Sequence, residues 1–203
     1  MRNNKGFTLI EMVVVLAVVA ILAAILTPTI ARNIQDAKLT RATNEAQVIG
    51  AAIASFYKDV GRWPSADGSA ATLTESLALL HGSAGDDPAA TTGGNAWDKD
   101  TAADTTDTFE NQLIENDPGD DANDYTDWTD ATKIGWHGPY IGEIKADPWG
   151  IYYACNIANA YDSPNALGAW VLSFGVNRDA ETVFATPAAT TTPAGDDVGV
   201  RID

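Results

Sequence analysis

Lys5-Gly6-Phe7-Thr8-Leu9-Ile10-Glu11, followed by fifteen apolar residues without a break from Met12 to Leu26, is the stretch that decides the fold. An ionisable side chain inside an apolar run is costly in a bilayer, so Glu11 calls for a partner. The order is a short basic leader, Gly-Phe, an acid and a long apolar helix, and it reads as a processing and assembly signal. A secretory signal peptide would have a shorter apolar core with a small-residue cleavage site after it. A plain signal anchor accounts for the length but not for Glu11 or the Gly6-Phe7 junction.

Working outward, the pattern from Phe7 to about Asp59 is one long helix. Its first part, about residues 7–31, is apolar all round, as a lipid-embedded segment must be. Beyond Ala31 it turns amphipathic, with Ile34, Ala42, Ala46, Ile49, Ile53, Phe56 and Val60 recurring mostly at spacings of three and four. Such a helix reaches roughly 80 Å, so half of it must leave any bilayer. Pro28 should kink or locally unwind it, and Gly61-Arg62-Trp63-Pro64 ends it. Leu73, Leu77 and Leu80 read as a short helix.

Composition then shifts. Residues 82–133 are rich in Asp, Thr, Ala, Gly and Asn, with fourteen carboxylates against one basic residue, Lys99, between Asp86 and Asp130. Such a tract reads as a long solvated insertion, with a short helix near Phe109–Ile114. After it come the turn signals Gly138-Pro139-Tyr140-Ile141 and Asp147-Pro148-Trp149-Gly150. Strand-like runs follow at Ile151–Asn156, Ala169–Phe174 and Val198–Ile202. The expected architecture is α+β, a long N-terminal helix packed on a small antiparallel sheet at 136–203, with the acidic loop inserted.

A net charge of −16 and a pI near 4.2 exclude a nucleic-acid surface, which would be basic. Acidity suits a soluble exposed surface or capture of a hard cation. The one cysteine, Cys155, rules out an internal disulfide and reads as a small buried residue. His81 and His137 stand in unrelated contexts, and no nucleophile motif or phosphate-binding loop occurs, so the sequence reads as that of a protein without catalysis. Asp117–Asp124 fails the spacing of a calcium-binding helical-hand loop. The aromatics at Tyr125, Trp128, Trp136, Tyr140, Trp149, Tyr152 and Tyr153 fill a small core or, if exposed, grip a partner.

Gly-Phe-Thr-Leu-Ile-Glu after a basic leader and before an uninterrupted apolar helix resembles the leader of type IV pilins and type II secretion pseudopilins. Gly138-Pro139-Tyr140-Ile141, Asp147-Pro148-Trp149-Gly150 and Ser173-Phe174-Gly175 resemble the C-terminal region of the major pseudopilin. The resemblance spans about residues 1–65 and 136–203. It implies that residues 1–6 are a leader, cut by a prepilin peptidase between Gly6 and Phe7, with Phe7 then N-methylated. Residues 7–60 would be the long helix and 61–203 the exported domain. It implies that Glu11 neutralises the N-terminal amine of a neighbouring subunit in a helical homo-oligomeric filament; pairing with its own chain's amine and simple protonation are the alternatives. It implies a single-pass protein of the bacterial inner membrane, N-terminus cytoplasmic and C-terminal domain periplasmic, as the basic leader also suggests. An inner-membrane assembly platform and minor pseudopilins would be its partners. It also implies Ca²⁺ in the last loop, on Asn177, Asp196 and Asp197, with Asp179 and Glu181 as helpers. Asn177 departs from the carboxylate usual there. The function implied is a pseudopilus subunit driving protein export, with a surface pilin for adhesion or motility as the other member of the family to weigh. A membrane-anchored binding module that borrows the leader is the reading from another class.

Overall fold

The computed structural model describes residues 6–65, 77–88, 97–99, 106–120, 124–161, 168–184 and 192–202. The leader residues Arg2 and Lys5, Leu73, and much of the acidic tract lie outside them. Contacts divide the chain into two units, residues 1–40 and 41–203, and helix α1 (Leu9–Val60) contributes to both.

In the first unit α1 runs without a break through Pro28. Proline offers no N–H to the Ala24 carbonyl one turn earlier, and beside it the Thr27 hydroxyl donates to the Ala23 carbonyl at 2.7 Å. The large apolar side chains from Phe7 to Ile34 are half or more exposed. This is the one helix among the described residues long and apolar enough to cross a membrane, and none of its apolar window is covered by the rest of the chain.

In the second unit the last turns of α1 lie on a five-stranded sheet. The strands are β1 (Leu79–His81), β2 (Thr106–Thr108), β3 (Ala154–Cys155), β4 (Ala169–Ser173) and β5 (Val198–Ile202), in the order β2-β1-β3-β4-β5. Pairings β1–β3, β3–β4 and β4–β5 are antiparallel, with Leu80 opposite Cys155 and Val171 opposite Val200. β2 joins β1 in parallel, so the expected antiparallel sheet is extended by a parallel edge strand drawn from the insertion. A short helix, α2 (Ala158–Tyr161), follows β3.

Strand alternation sorts the core into two layers. Leu80, Cys155, Ala169, Val171 and Ile202 face Ala46, Ile49, Ile53 and Phe56 of α1. Leu79, Ala154, Trp170 and Leu172 point the other way and pack with Tyr152, Phe174 and Trp97. Both faces of the sheet are therefore buried, which is why β4 has no exposed residue. α1 ends as its sequence predicts: Gly61 takes φ 80°, its N–H donates to the Tyr57 carbonyl, and the Gly135 N–H donates to the Asp59 carbonyl in the last turn.

Two expectations need correcting. Leu79 and Leu80 belong to a strand, not to a helix continuing from Leu73: one faces each core layer, as period two requires. The acidic tract is not simply a solvated loop. Its Asp124, Asp127 and Asp130 are exposed, but its Trp97, Phe109, Leu113 and Tyr125 are at most 2% exposed, and they fill both layers. The helix expected near Phe109–Ile114 is present: Phe109 and Glu110 are α-helical and lead into a π-helix at Asn111–Glu115.

A buried polar network fixes this segment. Asp107 accepts from the N–H groups of Thr108 (2.7 Å) and Gly119 (3.2 Å) and from the side-chain amides of Asn111 (2.7 Å) and Gln112 (2.5 Å). The Tyr125 hydroxyl donates to Gln112 Oε1 at 2.6 Å and accepts from the Ser65 N–H at 2.8 Å, just beyond α1. Burial raises the Asp107 carboxyl above the usual carboxylate range in spite of its four donors.

Candidate functional site

Two places carry the residues singled out in the sequence. The first is the start of α1. Gly6, Phe7 and Glu11 are exposed. Thr8 caps the helix and Glu11 sits three residues on. Glu11 Oε2 accepts from the Thr8 N–H at 2.8 Å and its hydroxyl at 2.7 Å, while the Glu11 N–H meets Thr8 Oγ1 at 3.4 Å. This is a capping box, and it satisfies donors that the first helical turn leaves free. Thr8-Leu9-Ile10-Glu11 carries the signature in plain sight, but the demand for an assembly partner hid it. Both bonds to the carboxylate fall on Oε2, and Oε1 has no partner among the described residues.

The second place is the last loop, between β4 and β5. The structure brings Asn177, Asp196 and Asp197 together with Glu181. Asp196 Oδ2 accepts from the N–H groups of Val176 (2.6 Å) and Asn177 (2.9 Å). Asp197 Oδ2 accepts from those of Glu181 (3.1 Å) and Thr182 (2.6 Å). Glu181 Oε2 takes the Asp196 N–H at 2.8 Å, and Asn177 Oδ1 takes that of Asp179 at 2.7 Å. The segments approach so closely that a Cβ at Gly175 would overlap the Asp196 carbonyl and one at Gly195 would displace the Glu181 carboxylate, and both glycines lie at positive φ.

Whether these residues suit a cation is decided by what is left over. Asp196 Oδ1 and Asp197 Oδ1 are buried without a hydrogen-bond partner. Asp197 is 8% exposed, and burial pushes its carboxyl up to about 6. An ionised Asp197 here lacks the compensation that buried charge requires. No group of three or more His, Cys, Asp or Glu among the described residues is arranged to hold a metal. A cation would therefore rely on these carboxylate oxygens with amide and backbone oxygens, the ligand chemistry of Ca²⁺.

The other candidates fall into the core. Tyr152 and Tyr153 are buried, and the Tyr153 hydroxyl donates to Glu45 Oε2 at 2.7 Å, where Arg41 pairs with Oε1 at 2.8 Å. Cys155 is buried, and burial pushes its thiol up. Trp128 is half-buried and stacks on His137, with Lys133 also near its ring.

Comparison with known proteins bears on the first place. Residues 1–27 match the prokaryotic N-terminal methylation motif. The chain is type IV pilin-like. It is 38% identical over 74 residues to the fimbrial protein EcpC of Eikenella corrodens, covering 36% of this chain and 48% of that one. The same identity, over 64 residues (32% and 45%), relates it to the type II secretion system core protein G of Pseudomonas aeruginosa. It is 47% identical over 49 residues (23% and 37%) to the type IV wide pilus major component PilA4 of Thermus thermophilus. In each case the type IV pilin-like chain spans less than half the length of the relative it matches. No solved structure matches it. A long N-terminal helix whose last turns lie on a small mixed sheet is the architecture of the type IV pilin fold.

Proposed function

We propose that this chain is a filament subunit, and that the filament is a periplasmic pseudopilus of a type II secretion system. The observation that carries assembly is the start of α1: its apolar residues are uncovered in the single chain, and Glu11 keeps one carboxylate oxygen free at the end where cleavage between Gly6 and Phe7 creates an amine. A carboxylate and an ammonium buried together cost far less than either alone. Stacking of many copies through these helices then covers the apolar surface that lipid covers before extraction. The prepilin peptidase, an inner-membrane platform and minor pseudopilins are the implied partners, the N-terminus is cytoplasmic, and the domain itself performs no catalysis.

The choice of a pseudopilus rests on the last loop. With Cys155 buried and unpaired, Asn177, Asp196 and Asp197 would hold Ca²⁺, which supplies the charge compensation that the two free carboxylate oxygens lack. A surface pilin for adhesion or motility is the second reading, favoured by fimbrial relatives of equal identity and by an insertion that supplies Phe109, Leu113 and Tyr125 to one core layer and Trp97 to the other.

Deletion of the gene separates them. Exoproteins retained in the periplasm with unchanged surface filaments support the pseudopilus. Normal secretion with loss of surface filaments supports the pilin. Replacement of Glu11 by Gln should abolish filament incorporation in either system, and wild-type assembly by Glu11→Gln would reject the pairing with the amine.

A further inference from the structure

Trp97 comes from the acidic tract, yet it ends in the last loop. It is fully buried, its carbonyl accepts from the Tyr152 hydroxyl at 2.8 Å, and its ring meets the edge of Phe184 at 4.8 Å between centroids. Its indole Nε1–H donates to the Thr182 carbonyl at 2.6 Å. Thr182, itself 4% exposed, donates its N–H to Asp197 Oδ2 at 2.6 Å and accepts the Ala194 N–H on Oγ1 at 2.9 Å. Thr182 is thus the junction between the insertion and the carboxylate whose other oxygen is buried and unpartnered. Two residues on, Lys99 pairs with Asp87 at 3.0 Å and lies 5.3 Å from the Tyr152 ring centroid, so the 97–99 segment is anchored at both ends.

We propose that Trp97 is a positioning residue for the cation loop, so that the acidic insertion sets the affinity of the loop for a divalent cation through Thr182 and Asp197. The proposal rests on the Ca²⁺ reading given above. Filling space is not what the indole adds, since any large apolar side chain would do that. A buried carbonyl engaged by one donor is fixed in place, and an unengaged one seeks other partners. Loss of the Nε1–H releases the Thr182 carbonyl, and the residue freed to shift is the one whose N–H holds Asp197 Oδ2. Trp170 provides the contrast: it lies in the same layer, 3% exposed, and its Nε1 has no partner.

The test is calorimetric titration of the full chain in detergent micelles with Ca²⁺ alone, after chelation. Trp97→Phe should weaken binding about five- to tenfold, the factor carried by one buried hydrogen bond, while Trp170→Phe stays within about twofold. Equal affinity in the two variants, with a wild type that binds, overturns the positioning role and leaves the Ca²⁺ reading standing. A wild type that binds no Ca²⁺ overturns both. A second measurement needs no variant and covers a Trp97→Phe chain that fails to fold. By reciprocity Ca²⁺ must strengthen the indole bond that strengthens Ca²⁺ binding, so it should slow hydrogen exchange at Trp97 Nε1 severalfold in wild-type protein. Exchange unchanged by saturating Ca²⁺ also overturns the role.

Discussion

Leu113→Ala tests whether the acidic tract is core or decoration. Leu113 stands in the π-helical turn of the insertion, fully buried in the layer that contains Phe56 and Tyr125. Truncating a buried leucine costs about 2–5 kcal/mol, the transfer of the lost groups plus the cavity they leave. A domain of this size has roughly 5–15 kcal/mol to lose, and each kcal/mol lowers its midpoint by about 2–4 °C. The mutant should therefore melt about 5–15 °C below the parent, measured by near-ultraviolet circular dichroism on residues 41–203, the more extensively packed of the two units. Ile134→Ala is the control, because Ile134 is 59% exposed and surface truncations usually stay within about 0.5 kcal/mol. If both variants melt together, within a degree or two of wild type, the burial argument is wrong and the tract is a spacer after all.

Three further outcomes follow from the same packing. Tyr125→Phe strands Gln112 Oε1 and the Ser65 N–H and should cost about 1–3 kcal/mol in urea unfolding; a neutral result would mean that water replaces the hydroxyl. Cys155 should resist an aromatic disulfide reagent until urea unfolds the domain, since the thiol is fully buried and burial disfavours its thiolate; prompt labelling in buffer would contradict that. Asp197 has a folded-state pKa of about 6 against an ordinary 3.8, so its folded form holds the proton more tightly than the unfolded one. In chelator, stability from this group is fully present below about pH 3.8 and is lost as pH rises through 6, by about 3 kcal/mol at pH 7. Wild type minus Asp197→Asn should show that slope, and saturating Ca²⁺ should remove it; no slope in chelator would refute the burial of the charge.

Much of this fold can be read directly from residue order. The apolar run fixes the first half of α1, Gly61 fixes its end, and Val198–Ile202 forms the strand its alternation predicts. The motif matched over residues 1–27 is legible because a basic leader, a glycine and one acid before an apolar run have few other meanings. The insertion was illegible for a physical reason. Fourteen carboxylates dominate its composition, whereas its contribution to the core rests on four widely separated side chains, Trp97, Phe109, Leu113 and Tyr125. No local period joins them, and their partners lie in α1, the sheet and the last loop. Leu79 and Leu80 misled for the related reason that a three-residue strand buried on both faces carries no alternation of apolar and polar residues. In the last loop the sequence could nominate Asn177, Asp196 and Asp197, but it could not say which carboxylate oxygens the backbone would consume and which it would leave free.

That division of oxygens bears on how a strongly acidic chain without a disulfide closes its turns. Asp147 accepts the N–H groups of Trp149 and Ile151, each at 2.9 Å, and the Ser173 hydroxyl at 2.6 Å. Asp107 gathers two backbone and two side-chain donors. Asp196 and Asp197 each gather two backbone donors. Bonds of this kind, between an ionised acceptor and a backbone donor, are stronger than neutral ones, so carboxylates can do locally what a cross-link does elsewhere. Each still carries the desolvation cost of a buried charge. At Asp147 three donors share that load. At Asp197 two do, one oxygen is left bare, and the carboxyl is raised to about 6. The last loop is accordingly a place in which the protein's own donors leave two buried carboxylate oxygens unengaged, and a cation bound there would complete it.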